Sequence, residues 1–507
     1  MKKAWKWLAL FGLAGVLGAC GNNDETKESS EKDGLTIVAS FYPMYDFTKN
    51  IVGDEGNVEL LVPAGTDSHD FEPSAKDIAK IQNADALVYN NENMEMWVPD
   101  VEDSLAKEDV KVIKATKDML LMPGGEEEEH EHDHSEEGHH HELDPHVWLA
   151  PSLAVKEVEA IRDQLSESYP EYAAAFEKNA AAYIEKLKKL DSNYTNAFAE
   201  AKQKSFVTQH AAFSYLALEY GLNQVPISGV SAEEEPSPAR LAELKEFVEK
   251  NGIQYIYFEE NAKSSVAETL AAETNIKTEV LNPLEGLTQQ QMDEGEDYIS
   301  VMEQNLKALR KTTDSENPKE ENLTPVKEKT VYNGYFKDSE VKERPLTDWA
   351  GNWQSVYPYL QDGTLDQVMA YKTKKDSSKT AEEYKAYYET GYQTEVKKIN
   401  IKGDKMTFIF DDGTEKTAEY KAAGYKILDY KAGNRGVRFL FEAKGETDAF
   451  KYIQFSDHGI NPEKSGHFHI YYGNDSQEAL LEEMDHWPTY YPANLTGMEI
   501  AQEMLAH

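Results

Sequence analysis

The sequence predicts an α/β protein of two parallel-sheet lobes joined by a long helix, followed by an antiparallel β domain. Three observations carry this expectation. Short β-rich runs alternate with helical patterns twice, once before and once after a long helical stretch at about 171–203. A polar run at 311–328, KTTDSENPKEENLTPVKE, then reads as a linker. Beyond it the texture changes to period-two strands separated by tight turns, with little room for crossover helices.

In chain order, Lys2, Lys3 and Lys6 precede an apolar stretch, Leu8 to Leu17, that ends in Leu17-Gly18-Ala19-Cys20. The stretch is too short to span a bilayer comfortably, and small residues close it where a peptidase cuts, so residues 1–20 are expected to be an export signal. Leu-Gly-Ala-Cys resembles the lipobox of bacterial lipoproteins. That resemblance implies lipidation of Cys20 and anchoring at the extracytoplasmic face of the cell membrane. Cys20 is also the one cysteine, which excludes an intrachain disulfide and a Cys-based zinc site. Residues 21–34, GNNDETKESSEKDG, have nothing to bury and read as a tether.

The first lobe's strand candidates are LTIVAS (35–40), VELLV (58–62), ALVYN (86–90) and the core of VKVIKA (111–115). Those of the second are SFVTQ (205–209), QVPIS (224–228), IQYIYF (253–258) and TEVLN (278–282). The linker ends this unit, 35–310, and a second unit spans 329–507. There VKKINI, KMTFIF, RGVRFLFEA and FKYIQF alternate, punctuated by Gly403-Asp404 and Asp412-Gly413 turns, which leaves an antiparallel barrel or a sandwich open. Helical segments flank them near 378–390 and 476–485.

Charge narrows the function. Against 52 Lys+Arg stand 93 Asp+Glu, a net charge of -41, and no basic patch interleaved with aromatics occurs. Such a surface repels phosphate backbones, so nucleic acid is excluded as a partner, whereas divalent cations are concentrated near it.

The 14 histidines fall into groups, and imidazole is a good ligand for divalent transition metals. His69 lies just after VELLV, His210 directly after SFVTQ and Glu285 just after TEVLN, while His146 sits in the run Asp144-Pro145-His146-Val147-Trp148. Ligands of open α/β sheets sit beyond the carboxyl ends of strands, so these four loops can close a tetrahedral site between two lobes. A second group, EEEEHEHDHSEEGHHHE at 126–142, holds His130, His132, His134, His139, His140 and His141 among carboxylates, with no apolar residue. It reads as a weak, multi-site metal collector at the rim of the cleft. In the third group, His467 and His469 share one face of a strand-like run, and a turn through Gly459 to Gly466 can fold His458 onto them. That gives a three-His site with an open fourth position. His486 and His507 read as surface residues.

Several of these runs resemble known families. Gly65-Thr66-Asp67-Ser68-His69-Asp70-Phe71-Glu72-Pro73-Ser74, Asp144-Pro145-His146-Val147-Trp148-Leu149 and Gln209-His210-Ala211-Ala212-Phe213-Ser214-Tyr215-Leu216 resemble metal loops of the zinc/manganese family of ABC-transporter substrate-binding proteins. Glu233-Glu234-Glu235-Pro236-Ser237-Pro238 and Phe258-Glu259-Glu260-Asn261 look like that family too. The resemblance covers about 35–310 and implies metal held by His69, His146 and His210 between two lobes. The fourth ligand varies in the family, so Glu285 or a water fills that place.

Trp353-Gln354-Ser355-Val356-Tyr357-Pro358-Tyr359-Leu360, Gly436-Val437-Arg438-Phe439-Leu440-Phe441 and Trp487-Pro488-Thr489-Tyr490-Tyr491-Pro492 resemble the ZinT family of zinc-binding proteins. That likeness, over roughly 345–507, implies a lipocalin-like β-barrel with His458, His467 and His469 as its zinc ligands.

Three imidazoles and one carboxylate suit a borderline ion better than Mn2+, and the Irving–Williams order places zinc above manganese, so Zn2+ is the expected cargo. The family resemblance implies delivery to an ABC permease in the membrane. Catalysis is not expected. The nearest approach to HExxH is His141-Glu142-Leu143-Asp144-Pro145-His146, with the second His at i+5 and a proline that breaks a helix. One cysteine and a long tether point to a monomer.

Overall fold

The apolar run LTIVA forms β1 (Leu35–Ala39), the first strand of a parallel sheet whose strands read as near-continuous hydrophobic runs because helices cover them. In a computed structural model of the protein, residues 34–506 are described, apart from 67, 125–142, 230–235, 260–264, 316–328 and 431–432. Cys20, His130, His132, His134, His139, His140, His141 and His507 therefore lie outside the described residues. Leu35–His507 hold together as one compact unit.

After β1 come α1 (Tyr42–Val52), β2 (Gly56–Leu60), α2 (Ala75–Gln82), β3 (Ala86–Tyr89), α3 (Val98–Lys107) and β4 (Lys111–Lys114). The four strands pair in parallel in the order β2-β1-β3-β4. Two helices follow, α4 (Pro151–Ser168) and α5 (Ala173–Phe198). The second lobe repeats the plan with β5 (Ser205–Thr208), α6 (Ser214–Glu219), β6 (Asn223–Pro226), α7 (Pro238–Asn251), β7 (Tyr255–Phe258), α8 (Ser265–Thr274) and β8 (Lys277–Val280). Its sheet order, β6-β5-β7-β8, is that of the first lobe. Then α9 (Gln289–Asp293) and α10 (Tyr298–Thr313) close the unit.

Helix α5 is the stiff backbone expected from the sequence. No Gly or Pro interrupts its 26 residues, and its buried positions Phe176, Ala180, Tyr183, Leu187, Leu190, Tyr194 and Phe198 recur at spacings of three and four. Near its start the Tyr183 hydroxyl donates to Asp46 on α1 at 2.6 Å; near its end that of Tyr194 donates to the Met302 carbonyl on α10 at 2.7 Å. One helix is thus keyed into both lobes. Two sequence expectations need correction. The long helix ends at Phe198 rather than near 203 and has α4 beside it, whose mixed face disguised it between Pro151 and Tyr169. The linker does not start at 311, because α10 runs through Thr313, where Thr312 and Thr313 are buried and the Thr313 carbonyl accepts from the Lys202 and Gln203 amides.

The C-terminal half is a closed barrel rather than a sandwich. Strands β9 (Gly351–Ser355), β10 (Val396–Lys402), β11 (Lys405–Phe410), β12 (Glu415–Asp429), β13 (Arg435–Ala443), β14 (Tyr452–Ser456), β15 (Phe468–Gly473) and β16 (Thr489–Pro492) pair antiparallel all the way round, β16 closing on β9. Its interior is packed with rings: Trp349 stacks on Phe455 at 4.7 Å and Phe468 meets Trp353 edge-on at 4.8 Å. Outside it lie α11 (Tyr357–Gln361), α12 (Asp366–Lys375), α13 (Ala381–Tyr392), α14 (Gln477–Glu482) and α15 (Gly497–Ala506). Among the described residues no helix is long and apolar enough to cross a membrane.

Two candidate metal centres

His69, His210 and Glu285 lie on the loops after β2, β5 and β8, His146 lies on the turn that leads into α4, and the four meet between the lobes. Their donor atoms are close to equidistant. His146 Nε2 lies 3.1 Å from His69 Nε2 and 3.4 Å from His210 Nε2. Glu285 Oε1 lies 3.3 Å from His146 Nε2, 3.3 Å from His210 Nε2 and 3.5 Å from His69 Nε2. Four donors at about 2.0–2.1 Å from a tetrahedral zinc stand about 3.3–3.4 Å apart, so these five separations fit a zinc-sized ion at the centre.

Carboxylates behind the ligands fix which ring nitrogen faces inward. His146 Nδ1 pairs with Asp144 Oδ1 at 2.8 Å, and His210 Nδ1 pairs with Glu259 Oε1. With Nδ1 donating outward, each Nε2 lone pair is left for the metal. Asp144 and Glu259 lie within the sequence motifs, but residue type alone gives them no role there. Their signal was position: one is two residues before a ligand, the other closes strand β7. Two bonds tie the loops across the cleft. Ser68 Oγ donates to the Glu285 carbonyl at 2.9 Å, and Trp148 Nε1 donates to the Pro283 carbonyl at 2.8 Å. Leu284 takes a left-handed φ of 58°, unusual for a branched side chain, in the turn that presents Glu285.

The electrostatics follow from burial. Loss of hydration opposes charge on His146 and His210, but the bonds to Asp144 and Glu285 in one case, and to Glu259 and Glu285 in the other, outweigh it and hold both imidazoles above their ordinary range. Burial likewise opposes charge on Glu285, yet the three surrounding imidazoles hold its carboxyl well below the usual carboxylate range. Without metal the carboxylates therefore favour protons on His146 and His210. A divalent cation replaces these protons.

The second centre sits at the rim of the barrel. His458 follows β14, His467 immediately precedes β15 and His469 lies within it, paired opposite Ser456. Their ring centroids form a near-equilateral triangle of 5.8, 6.0 and 5.9 Å. His469 Nδ1 pairs with Thr489 Oγ1 at 2.7 Å, again orienting the ring. Tyr332 stacks on His458 at 4.5 Å and Tyr491 on His467 at 5.2 Å. Burial pushes the His458 imidazole below its ordinary range against the opposing pull of Asp457.

His458 itself takes φ 65°, a turn position that costs strain and must be held. The buried Arg344 holds it, bonding Asp457 at 2.6 Å and Asp348 at 3.0 Å while lying 4.2 Å over the Trp349 ring. A Cβ at Gly459 would collide with the Arg344 guanidinium and the Glu463 carboxylate. Nothing in the spacing of the sequence pointed to Arg344. His486 is half-buried at the surface, and its Nε2 meets the Gln393 carbonyl at 2.5 Å, away from both centres.

Comparison with known proteins divides the chain at the same place. Residues 37–312 match the family model described as zinc-uptake complex component A, periplasmic (ZnuA), and 327–507 match that of ZinT, a periplasmic lipocalin-like zinc-recruitment domain. The zinc-binding lipoprotein AdcA of Streptococcus pneumoniae is 62% identical over 100% of both chains. The high-affinity zinc uptake system protein ZnuA of Bacillus subtilis is 50% identical over 60% of this chain and 97% of its own. The crystal structure of Zn(II)-bound AdcA from S. pneumoniae superposes with a TM-score of 0.83 at 61% identity, covering 94% of this chain and 100% of that one. Two-lobe unit, barrel and end-to-end identity converge on one conclusion: the chain belongs to the zinc-uptake component A family, in the form that carries a C-terminal ZinT domain.

Proposed function

We propose that the chain is an extracytoplasmic zinc receptor that captures Zn2+ and hands it to an ABC permease, with the barrel as an auxiliary zinc-binding module. The observation that carries this is the cluster of His69, His146, His210 and Glu285, whose donor atoms stand 3.1–3.5 Å apart in five of six pairs. Four donors of this type, each imidazole keeping Nε2 inward, suit a borderline divalent ion. The ligands come from two lobes, so opening the cleft separates them and releases the cargo.

His458, His467 and His469 supply a second, more open site. His130, His132, His134, His139, His140 and His141 add a weak metal collector. Cys20 is the lipidated anchor at the membrane's outer face, and the protein acts as a monomer. Residues 35–310 serve as receptor and 329–507 as auxiliary module. Its proposed role is binding rather than catalysis, since the cleft ligands close round their ion.

Bound metal per chain tests the reading, on protein lacking residues 1–20 after dialysis against a weak chelator. About two zinc ions are expected, falling to one when His69, His146 and His210 become Ala and to one when His458, His467 and His469 become Ala. Full retention in the first variant would remove the chemical basis of the receptor reading.

A further inference from the structure

Among the described residues, the barrel unit bonds to the two-lobe unit along a short stretch of backbone, Asp118–Pro123. Gln502 on α15 pairs with Leu121 as a neighbouring strand would: its Nε2 donates to the Leu121 carbonyl at 2.7 Å and its Oε1 accepts the Leu121 amide at 2.8 Å. Gln367 on α12 does the same one step earlier, donating to the Asp118 carbonyl at 2.9 Å and accepting from the Leu120 amide at 3.4 Å. Asp118 takes φ 60°, which turns the chain into this stretch. Leu120 and Leu121 then point opposite ways. Leu120 packs into the apolar cluster of α12 and α15 with Val368, Met504 and Leu505, while Leu121 packs with Val147, Ala150 and Tyr215 beneath the cleft. Nearby, Lys374 of α12 pairs with Glu219 of α6.

The same stretch is bonded directly to the support of a cleft ligand. The buried Tyr215 hydroxyl accepts the Met122 amide at 2.7 Å and donates to the Asp144 carbonyl at 2.8 Å. The Asp144 amide donates to the Met122 carbonyl at 2.8 Å. Asp144 in turn orients His146 through its Nδ1. A continuous set of contacts therefore runs from a barrel helix to a cleft imidazole, through Gln502, Leu121, Met122, Tyr215 and Asp144.

We propose that Gln367 and Gln502 are positioning residues for the cleft: by holding the 118–123 stretch they set the placement of Asp144 and His146, so that docking of the barrel unit strengthens zinc binding between the lobes. The inference rests on the receptor reading above and gives the C-terminal unit a role separate from its own zinc site. Docking and cleft occupancy are then reciprocally coupled, each favouring the other.

The test uses the full mature chain with His458, His467 and His469 changed to Ala, so that only the cleft binds. Zinc affinity is measured by chelator competition before and after Gln367→Ala with Gln502→Ala. Binding is expected to weaken about three- to thirtyfold. Tyr215→Phe alone should weaken it too, and the three substitutions together should cost less than the sum of the separate losses, because they break one chain of contacts. An unchanged dissociation constant, or strictly additive losses, would overturn the inference. Barrel zinc affinity, read in the converse His69→Ala, His146→Ala, His210→Ala background, should not move with the glutamine changes; an equal loss there would mean general unfolding and count against a positioning role. Should the glutamine variant not fold, hydrogen exchange of the parent decides, since zinc loading should slow exchange at the Leu121 and Met122 amides, and unaltered exchange would refute the coupling. A parent that holds no zinc would sink the receptor reading itself, a different failure from a parent that binds and a variant that binds equally well.

Discussion

Glu285 Oε1 lies 3.3 Å from His146 Nε2, the first arriving from the second lobe and the other from the first. A carboxylate there does two things: it ligates a cation, and in its absence it holds protons on the imidazoles around it. Glu285→Gln should separate the two. Zinc affinity at pH 7.5 should fall at least about tenfold for loss of the charged ligand. Because Glu285 helps raise His146 and His210, its removal lowers both, so the variant should lose less affinity than the parent as pH is lowered from 7.5 to 6.5. Chelator competition at the two pH values checks both statements.

The carboxylates behind the rings should matter almost as much as the ligands. Asp144→Asn and Glu259→Gln keep the shape but weaken the hold on the Nδ1 hydrogen. Each should reduce cleft affinity about 10- to 100-fold while leaving the barrel site unchanged. Calorimetric titration of each variant, with the barrel histidines replaced, measures the loss.

Acid should empty the two centres in a definite order. His146 and His210 are held above about 6.5 in the metal-free protein, so protons compete with zinc at a pH still above that value. His458 is pushed below it, so protons compete less for that ligand. Between pH 7.5 and 6.5 the cleft's apparent affinity should drop more steeply than the barrel's. Equal slopes in the two triple-Ala variants would contradict this.

Stability should respond to a buried carboxyl that binds nothing. Glu157 on α4 is fully buried, and neither oxygen has a hydrogen-bond partner among the described residues. Burial, with the Glu95 charge added, raises its carboxyl well above the ordinary range. The folded state thus binds this proton more tightly than the unfolded state, and the cost grows as pH rises above about 4.3. Glu157→Met should raise the melting temperature by about 1–5 °C at pH 8, for a penalty of about 1–3 kcal/mol, and by less at pH 5. Thermal scans at the two pH values decide it.

The sequence made the ligand loops legible because the physics of open α/β sheets puts ligands after strands, and His69, His210 and Glu285 each follow an apolar run. It also made β10, β11, β13 and β14 legible through their alternation. Strand β12 escaped because its EKTAEYKAAGYKILD has few buried positions, and its register on β13 shifts between Ala422 and Tyr425. Helices α12 and α15 escaped for another reason: α12 packs on α13 and α15 in an apolar cluster that also takes in Leu120, and tertiary packing rather than periodicity selects such short helices. Arg344 and Tyr215 act through residues distant in sequence, to Asp457 and Asp144, a kind of relation no local pattern carries.

The most direct measurement is zinc K-edge X-ray absorption on the mature chain with His458, His467 and His469 changed to Ala. The cleft should show four light donors at about 2.0–2.1 Å with scattering from three imidazoles, and His146→Ala should remove one of them. A shell of six oxygen-dominated donors, or imidazole scattering unchanged by His146→Ala, would contradict a zinc site built from His69, His146, His210 and Glu285.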